Sequence, residues 1–286
     1  MDLISLALLL RPLRQAEPEK PLPRWWGRAA HRLLLDTLKM SDEQLSETAH
    51  EGSELRPFTT STMYGNFPDH RLDLQGNYLL RFTGLSQAVS TSLAQAVQAG
   101  GSLAVGSVVS MDYLEFQVQA VHSESGSHPM AEQTTYQELA TASLLDAEPA
   151  SHQVSFTFAS PTTFHSRGRQ MPYPVPDMVI NSLLDRWNAF APIAFPEEAR
   201  RYAAECLALS RFEVKSRKVT VSGGTQTGFI GRVTFSALTY DRYWMSLMQT
   251  LARYSYFSGV GAKTSMGMGQ CRKPVEKKEG GSYPSA

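Results

Sequence analysis

The chain has 286 residues, of which 42% are hydrophobic, and its 27 basic and 27 acidic side chains give a net charge of zero. That length fits one large domain or two of ordinary size, and the composition is typical of a soluble globular protein. Two cysteines, Cys206 and Cys271, are too few for a disulfide-stapled secreted scaffold. The apolar run at residues 3–10 has no basic leader and is far shorter than the about 20 residues of a membrane-spanning helix. We expect a cytoplasmic protein with no membrane partner.

The neutral net charge hides a segregated distribution. Residues 111–150 hold seven acidic side chains and no Lys or Arg, whereas residues 11–39 hold seven basic side chains against three acidic ones. Basic residues also dominate at 200–218, six against two, and at 253–278, six against one. A neutral protein with such segregation can present a strongly basic face to a nucleic acid, although each cluster alone is equally compatible with an ordinary solvated surface.

The first half of the chain predicts a mixed succession of elements. A strand at 3–10 precedes a proline-rich loop and a helix at 25–39. Ser41 opens an S-x-x-Q capping box, which predicts a second short helix ending near His50. The remaining predicted elements are a helix at 86–98 and strands at 57–64, 77–82, 103–105 and 108–120.

The second half repeats this order. The pattern predicts a strand at 154–158, a helix at 177–190, strands at 211–221 and 228–238, a helix at 241–257 and a last strand near 268–272. Both halves approximate β-α-β-β-α-β, so the predicted fold is α+β with two tandem ferredoxin-like (RRM-like) domains, an arrangement suited to RNA. The predicted boundaries are 1–125 for the N-terminal domain with the candidate active site, 126–150 for an acidic linker, 151–273 for the C-terminal domain and 274–286 for a disordered tail.

The predicted first helix is amphipathic. At about 100° per residue its core-facing side carries Trp26, Ala30, Leu33 and Thr37. Its opposite side collects the basic residues Arg24, Arg28, Arg32 and Lys39, with His31 at the edge. Basic neighbours favour a neutral imidazole, which suits a general base, whereas the alternative interpretation is a histidine at the rim of the core.

A second histidine is also a candidate. His50 ends the short second helix, where the helix dipole alone could account for a histidine. Arg56 follows six residues later, just before Pro57 and a predicted strand. A histidine that moves a proton beside an arginine that holds a phosphate would be a workable pair for RNA cleavage.

The seven histidines are scattered, and the chain has neither H-x-x-x-H nor C-x-x-C spacing. We therefore expect no metal and no cofactor.

Residues 259–269 read GVGAKTSMGMG. The stretch fits neither a Walker A motif nor G-x-G-x-x-G, and it follows a helix and precedes a strand, the reverse of a nucleotide-binding loop. Its backbone N–H groups could form an anion nest for an RNA phosphate, with charge from Lys263, although a tight structural turn is the alternative. The predicted RNA contacts there are Gly259, Gly261, Lys263, Thr264, Ser265, Gly267 and Gly269. Arg232 joins them because GFIGRVTF, residues 228–235, weakly matches an RNA-recognition strand.

Together these motifs resemble the CRISPR-associated endoribonucleases of the Cas-six type, in the RAMP superfamily. SGVGAKTSMGMGQCR, residues 258–272, is similar to the family's GhGxxxxxGxG loop. Further matches in the family's order are GRAAHRLLL, AHE followed by RPFTTS, SPTTF, LLDRWNAF and TGFIGRV. The resemblance runs from the first strand to Arg272.

The resemblance implies two ferredoxin-like domains and metal-independent cleavage of repeat RNA in a prokaryotic cytoplasm. The ribose 2′-OH would attack the adjacent phosphate and leave a 2′,3′-cyclic phosphate and a 5′-OH. His50 falls in the family's LHE position, although Ala49 replaces the usual Leu, while His31 falls in a GR-x-x-H pattern. Arg56 matches a position that is basic in some relatives, and Lys263 with nearby amides would bind RNA.

The implied partners are CRISPR repeat RNA, as precursor and as mature guide, together with effector-complex subunits and a second copy of the chain. The choice between His31 and His50 stays open at this point. Some members lack a histidine altogether, so the alternative function is a non-catalytic repeat-RNA-binding subunit of a ribonucleoprotein.

Overall fold

The computed structural model describes residues 1–17, 19–43, 45, 55–221 and 224–274. The N-terminal half forms an antiparallel sheet packed on two helices. Its strands are β1 (Leu3–Pro12), β2 (Phe58–Thr60), β3 (Tyr78–Gly84), β4 (Val108–Met111) and β5 (Leu114–His122), and its helices are α1 (Gly27–Ser41) and α2 (Gln87–Ala96). The spatial strand order is β2-β3-β1-β5-β4. The order β2-β3-β1-β5 is that of a ferredoxin-like sheet in which β5 takes the place of the fourth strand. Strand β4 pairs with β5 and adds one more strand at that edge.

The segment between the two halves is structured. Residues 126–150, predicted as an acidic linker, contain β6 (Glu132–Thr134), which pairs with β1, and α3 (Tyr136–Leu144). Thr135 and Glu138 form a capping box at the start of α3. Tyr136 is buried in the C-terminal core, where its hydroxyl donates to the Leu85 carbonyl at 2.7 Å. The segment therefore contacts both halves, and the predicted domain boundaries stay a prediction.

The C-terminal half has a second antiparallel sheet. Its elements are β7 (Gln153–Thr162), β8 (Phe164–Ser166), β9 (Arg169–Met171), α4 (Pro176–Phe190), α5 (Glu198–Cys206), β10 (Leu207–Val221), β11 (Gly224–Ala237) and α6 (Arg242–Ser258). The sheet order is β10-β11-β7, and β8 pairs with β9 in a separate hairpin. On the free edge of β7 the chain after α6 forms an isolated bridge between Phe158 and Cys271. The predicted α+β class is confirmed.

Several predicted elements differ from the structure. The predicted last strand near 268–272 is reduced to that single bridge, and residues 103–105 form turns. The predicted strand at 108–120 is two strands, because Asp112 adopts a left-handed φ of 59° that reverses the chain. The predicted short helix ending near His50 lies mostly outside the described residues.

Buried apolar side chains form two cores, one under each sheet. Leu3, on β1, and Leu85, directly after β3, come from the N-terminal half but belong to the C-terminal core. The two halves therefore pack directly on each other. Within the described part of the chain, no helix combines the length and the apolar character that a membrane span requires.

Candidate functional site

His31 lies on α1 at the boundary between the N-terminal core and the surface. The predicted core side of α1 is confirmed, since Trp26, Ala30, Leu33 and Thr37 are buried. His31 itself is half-buried, and its ring packs against Phe58 of β2 with the centroids 5.4 Å apart. The helix therefore holds the imidazole at the rim of the N-terminal core, between buried and exposed positions.

The C-terminal glycine-rich loop contacts this imidazole directly. The Nδ1 atom of His31 lies 2.9 Å from the backbone carbonyl oxygen of Ser265, 234 positions away in sequence. A carbonyl oxygen only accepts hydrogen bonds, so this contact requires a proton on Nδ1. In the neutral ring the lone pair then lies on Nε2, which is the form a general base needs.

The same carbonyl has a second donor. The Thr60 hydroxyl, at the end of β2, donates to the Ser265 oxygen at 2.9 Å. Next to it, the Trp25 indole N–H donates to the Met266 carbonyl at 2.7 Å, and Ser61 forms a parallel bridge with Gly267. The loop is thus anchored along the N-terminal half by both side chains and backbone.

Two glycines allow this close approach. A Cβ atom added at Gly27 would lie 1.7 Å from the Met266 carbonyl oxygen, so any larger residue would displace the loop or the start of α1. Gly267 has a φ of 89°, in the left-handed region, and a Cβ there would lie 2.7 Å from the Thr62 nitrogen. The glycines at these positions serve packing between the two halves of the protein.

The C-terminal half supports the loop from the other side. Arg186, buried on α4, donates to the Gly261 carbonyl at 2.7 Å and to the Ser182 hydroxyl at 2.7 Å. Burial lowers the pKa of Arg186. The two oxygens that accept its hydrogen bonds are both uncharged. The Gly261 N–H in turn donates to the Ser182 hydroxyl at 2.7 Å. The protein itself thus supports the backbone of the loop at Gly261.

Hydrogen bonds within the protein reduce the number of backbone N–H groups that the predicted anion nest could donate to a phosphate. The N–H groups of Gly259 and Gly269 donate to the carbonyls of Ser255 and Pro161, and that of Gly261 donates to a side chain. These three amides are occupied within the protein. The predicted contacts Thr264, Gly267 and Gly269 are buried, while Lys263 and Ser265 are half-buried, with Lys263 in the left-handed conformation at φ 56°. Lys263 and Ser265 are therefore the most accessible predicted contacts of the loop.

The basic residues predicted to line one side of the first helix lie at the surface, with Arg24 before the start of α1 and the other three on it. Arg24, Arg28, Arg32 and Lys39 are all exposed. Arg32 pairs with Asp36 at 3.5 Å and Lys39 with Glu43 at 2.9 Å, and exposed pairs of this kind are weak. This surface can therefore exchange its acidic partners for phosphates at little cost.

The other predicted site residues are distributed differently. His50 lies outside the described residues, whereas Arg56 is described and half-buried two positions before β2. Arg232 lies half-buried on β11, opposite Glu213 of β10. The structure brings His31 and the glycine-rich loop together but does not join Arg232 to them.

Sequence reasoning did not identify Thr60, Trp25 or the Ser265 carbonyl as parts of the site. A backbone carbonyl leaves no trace in residue type, and its partners lie more than 200 positions away. Among the described residues, no group of three or more His, Cys, Asp or Glu side chains is placed to hold a metal ion.

Comparisons with known proteins agree with this architecture. The family model described as CRISPR-associated endoribonuclease Cas6 matches residues 156–271, which include the glycine-rich loop. A Cas6 product complex of known structure superimposes with a TM-score of 0.77 at 26% identity, over 96% of this chain and 100% of that one. The chain is therefore similar to Cas6 proteins in its fold and in the sequence of its C-terminal half.

Further relatives are similar to this chain over different shares of its length. The Cas6 of Mycobacterium tuberculosis is 30% identical over 140 residues, which are 48% of this chain and 44% of that relative. The chain thus spans about half the length of the curated relatives it matches. Thermus thermophilus Cas6 has a TM-score of 0.68 at 25% identity, over 95% of this chain and 98% of that one.

Proposed function

We propose that this protein is a metal-independent endoribonuclease of the Cas6 type that cleaves CRISPR precursor RNA within its repeats. The observation that carries the proposal is the His31–Ser265 hydrogen bond, which requires a proton on Nδ1 and so leaves the lone pair of the neutral ring on Nε2. Arg28, exposed one helical turn before His31, adds positive charge on the same helix. Solved relatives described as Cas6 product and substrate-mimic complexes support an RNA substrate. One solved relative was prepared with a histidine replaced by alanine, which is consistent with a histidine of interest in these proteins.

The proposed reaction uses the RNA's own nucleophile. Nε2 of His31 takes the proton of a ribose 2′-OH, and the 2′-oxygen attacks the adjacent phosphorus. The bond from phosphorus to the 5′-oxygen breaks, and that oxygen takes a proton from the solvent or from a protein acid and leaves as a 5′-OH, while His31 returns its proton to the solvent. The other product ends in a 2′,3′-cyclic phosphate, so no water or metal ion enters the balance. Arg56 and Lys263 are the proposed cations for the charge on the phosphorane.

His50 is the competing candidate for the base. His50 lies outside the described residues, so we assign the role of general base to His31 from its geometry. The His50→Ala variant tests the competing assignment. If His50 lies near the cleaved bond, it would be suited to protonate the 5′-oxygen as it leaves.

The test is cleavage of the protein's own repeat RNA in excess EDTA. We expect one cut, with a 2′,3′-cyclic phosphate detected by mass spectrometry on the upstream product. His31→Ala should abolish the cut and keep RNA binding. Full dependence on Mg²⁺ would refute the proposed chemistry, and tight binding without any cleavage would support the alternative function, a repeat-RNA-binding subunit.

A matched histidine control separates chemistry from general damage. His152 is exposed and stacks on Tyr240, which precedes the N-terminal end of α6. Because α6 has 17 residues and is about 25 Å long, His152 lies far from the loop at the other end of that helix. His152→Ala should cleave like the wild type, and His50→Ala tests the competing candidate in the same assay.

A further inference from the structure

We infer that Thr60 is a positioning residue for this reaction, because its hydroxyl holds the Ser265 carbonyl that fixes the proton on Nδ1 of His31. The inference rests on the proposed function for its catalytic consequence. Its structural part, the tautomer of His31, can be measured without any cleavage.

The Ser265 carbonyl oxygen has two acceptor positions, and both are used. His31 Nδ1 and the Thr60 hydroxyl each lie 2.9 Å from it. Thr60 has no exposed surface, and its backbone pairs with Phe82 in the sheet. The donor on the Thr60 side is therefore rigid, and it defines where the acceptor for His31 can lie.

The residues flanking Ser265 are fixed as well. Met266 accepts from the Trp25 indole, Gly267 bridges to Ser61, and the Thr264 hydroxyl lies 3.4 Å from the Arg186 guanidinium. All three contacts set the direction of the peptide group but none of them contacts the Ser265 oxygen itself. Among the hydrogen bonds of the described residues, two side chains contact the Ser265 oxygen, His31 and Thr60.

The consequence for the proposed chemistry is direct. The hydrogen bond made by one ring nitrogen determines which tautomer a histidine adopts. Without the Thr60 hydroxyl the carbonyl can shift, the Nδ1 bond lengthens, and rings with the proton on Nε2 become populated. Such rings cannot accept a proton from a 2′-OH at Nε2, and a misplacement of about 1 Å can lower a rate by about 100-fold.

The kinetic test compares Thr60→Val, which keeps the shape and removes the hydroxyl, with Thr60→Ser, which keeps the hydroxyl. In single-turnover cleavage at saturating repeat RNA we expect Thr60→Val to be slower by about tenfold or more, with the RNA dissociation constant changed less than about twofold. Thr60→Ser should restore the rate to within about twofold of the wild type. Equal rates for wild type and Thr60→Val would overturn the inference.

The spectroscopic test reads the ring directly. Long-range ¹H–¹⁵N correlation spectra of protein labelled at its histidines, with the His31 signals assigned through His31→Gln, should show the proton on Nδ1 in the wild type and a mixture in Thr60→Val. A wild-type ring protonated on Nε2 overturns the inference even where Thr60→Val fails to fold. A slower Thr60→Val with an unchanged tautomer also overturns it, since the effect would then be merely structural.

These readouts separate the inference from the proposed function. A wild-type protein that binds repeat RNA without cutting it contradicts the proposed function, while the tautomer spectrum still decides the role of Thr60. Conversely, normal cleavage by the His31→Ala protein would remove His31 from the reaction and overturn the inference, while the proposed endoribonuclease would stand with another base.

Discussion

The guanidinium of Arg81, on β3, donates to the backbone carbonyl of Tyr256 in α6 at 2.6 Å and lies over the Tyr256 ring, with Cζ 4.1 Å from its centroid. Arg81 is 3% exposed, and it also donates to the Ser5 hydroxyl at 2.7 Å and to the Gln270 side chain at 3.0 Å. Burial lowers its pKa. One cation thus ties β1 and β3 to the last helix and to the chain that follows the glycine-rich loop.

We expect Arg81→Met to lower the free energy of unfolding by about 3–5 kcal/mol, because three buried acceptors lose their donor together. Urea denaturation followed by circular dichroism measures this change. Arg71→Met is the matched control, since Arg71 is exposed and its replacement should stay within about 0.5 kcal/mol of the wild type. An Arg81→Met protein as stable as the control would contradict this account of the junction.

Gly27→Ala tests the close approach of α1 and the loop. Helix propensity alone favours alanine over glycine, so a purely local effect would stabilise the protein. The added Cβ would lie 1.7 Å from the Met266 carbonyl, and we therefore expect a loss of about 1–3 kcal/mol in the free energy of unfolding instead. Because Met266 adjoins Ser265, cleavage of repeat RNA should also slow.

The sign of that stability change decides between the two effects, and equilibrium unfolding in urea measures it. Arg28→Ala, a change at the exposed neighbouring position, serves as the control for general disturbance of α1. A Gly27→Ala protein more stable than the wild type would show that the loop does not pack on the helix as described.

The sequence predicts local structure well where apolar periodicity is strong. The spacing of Trp26, Ala30 and Leu33 places α1 and puts His31 at its edge, as the structure has it. The short helix α5 was not predicted, because its buried side consists only of Ala199, Tyr202 and Ala203 in an otherwise polar stretch. The break at Asp112 depends on one residue in the left-handed conformation.

The site was harder to predict than the fold. The histidine and the glycine-rich loop are both visible in the sequence, but the contact between them is a backbone hydrogen bond between the two halves of the chain. The glycines predicted as donors to an anion are required partly for a different reason, since Gly267 must accommodate the Thr62 backbone. Residue type signals that a position needs glycine, whereas only tertiary structure shows what approaches it.

The two cysteines should differ in reactivity. Cys271 is buried, and burial raises the pKa of its thiol from 9.0 to about 12, whereas Cys206 is half-buried. At pH 8 we expect a thiol reagent such as dithionitrobenzoate to modify Cys206 quickly and Cys271 only after unfolding. Cys206→Ala should then give a native protein with no fast-reacting thiol, and rapid modification of that variant would contradict the burial of Cys271.

The same thiol predicts a dependence of stability on pH. The native pKa of Cys271 is raised above its unfolded value, so its contribution is fully present below about pH 9 and is lost as the pH rises towards about 12. Relative to Cys271→Ala, the wild type should lose up to about 1.4 kcal/mol per pH unit across that window. Parallel unfolding series at about pH 8, 9 and 10 measure the difference. A constant difference between the two proteins would contradict the shift.

The exposed arginines of α1 should contribute to RNA affinity through charge. Arg28 lies one helical turn before His31 and is exposed. If it contacts a phosphate, Arg28→Ala should weaken binding of repeat RNA and reduce the slope of log affinity against log salt by about 0.7–0.9, because one fewer counterion is released. The control is Arg201→Ala, which removes an equally exposed arginine that pairs with Glu205 on α5 at 3.0 Å. Filter-binding titrations at several salt concentrations give both slopes. The basic surface of α1 predicts a change for Arg28→Ala alone, and equal slopes in all three proteins would show that the RNA binds elsewhere.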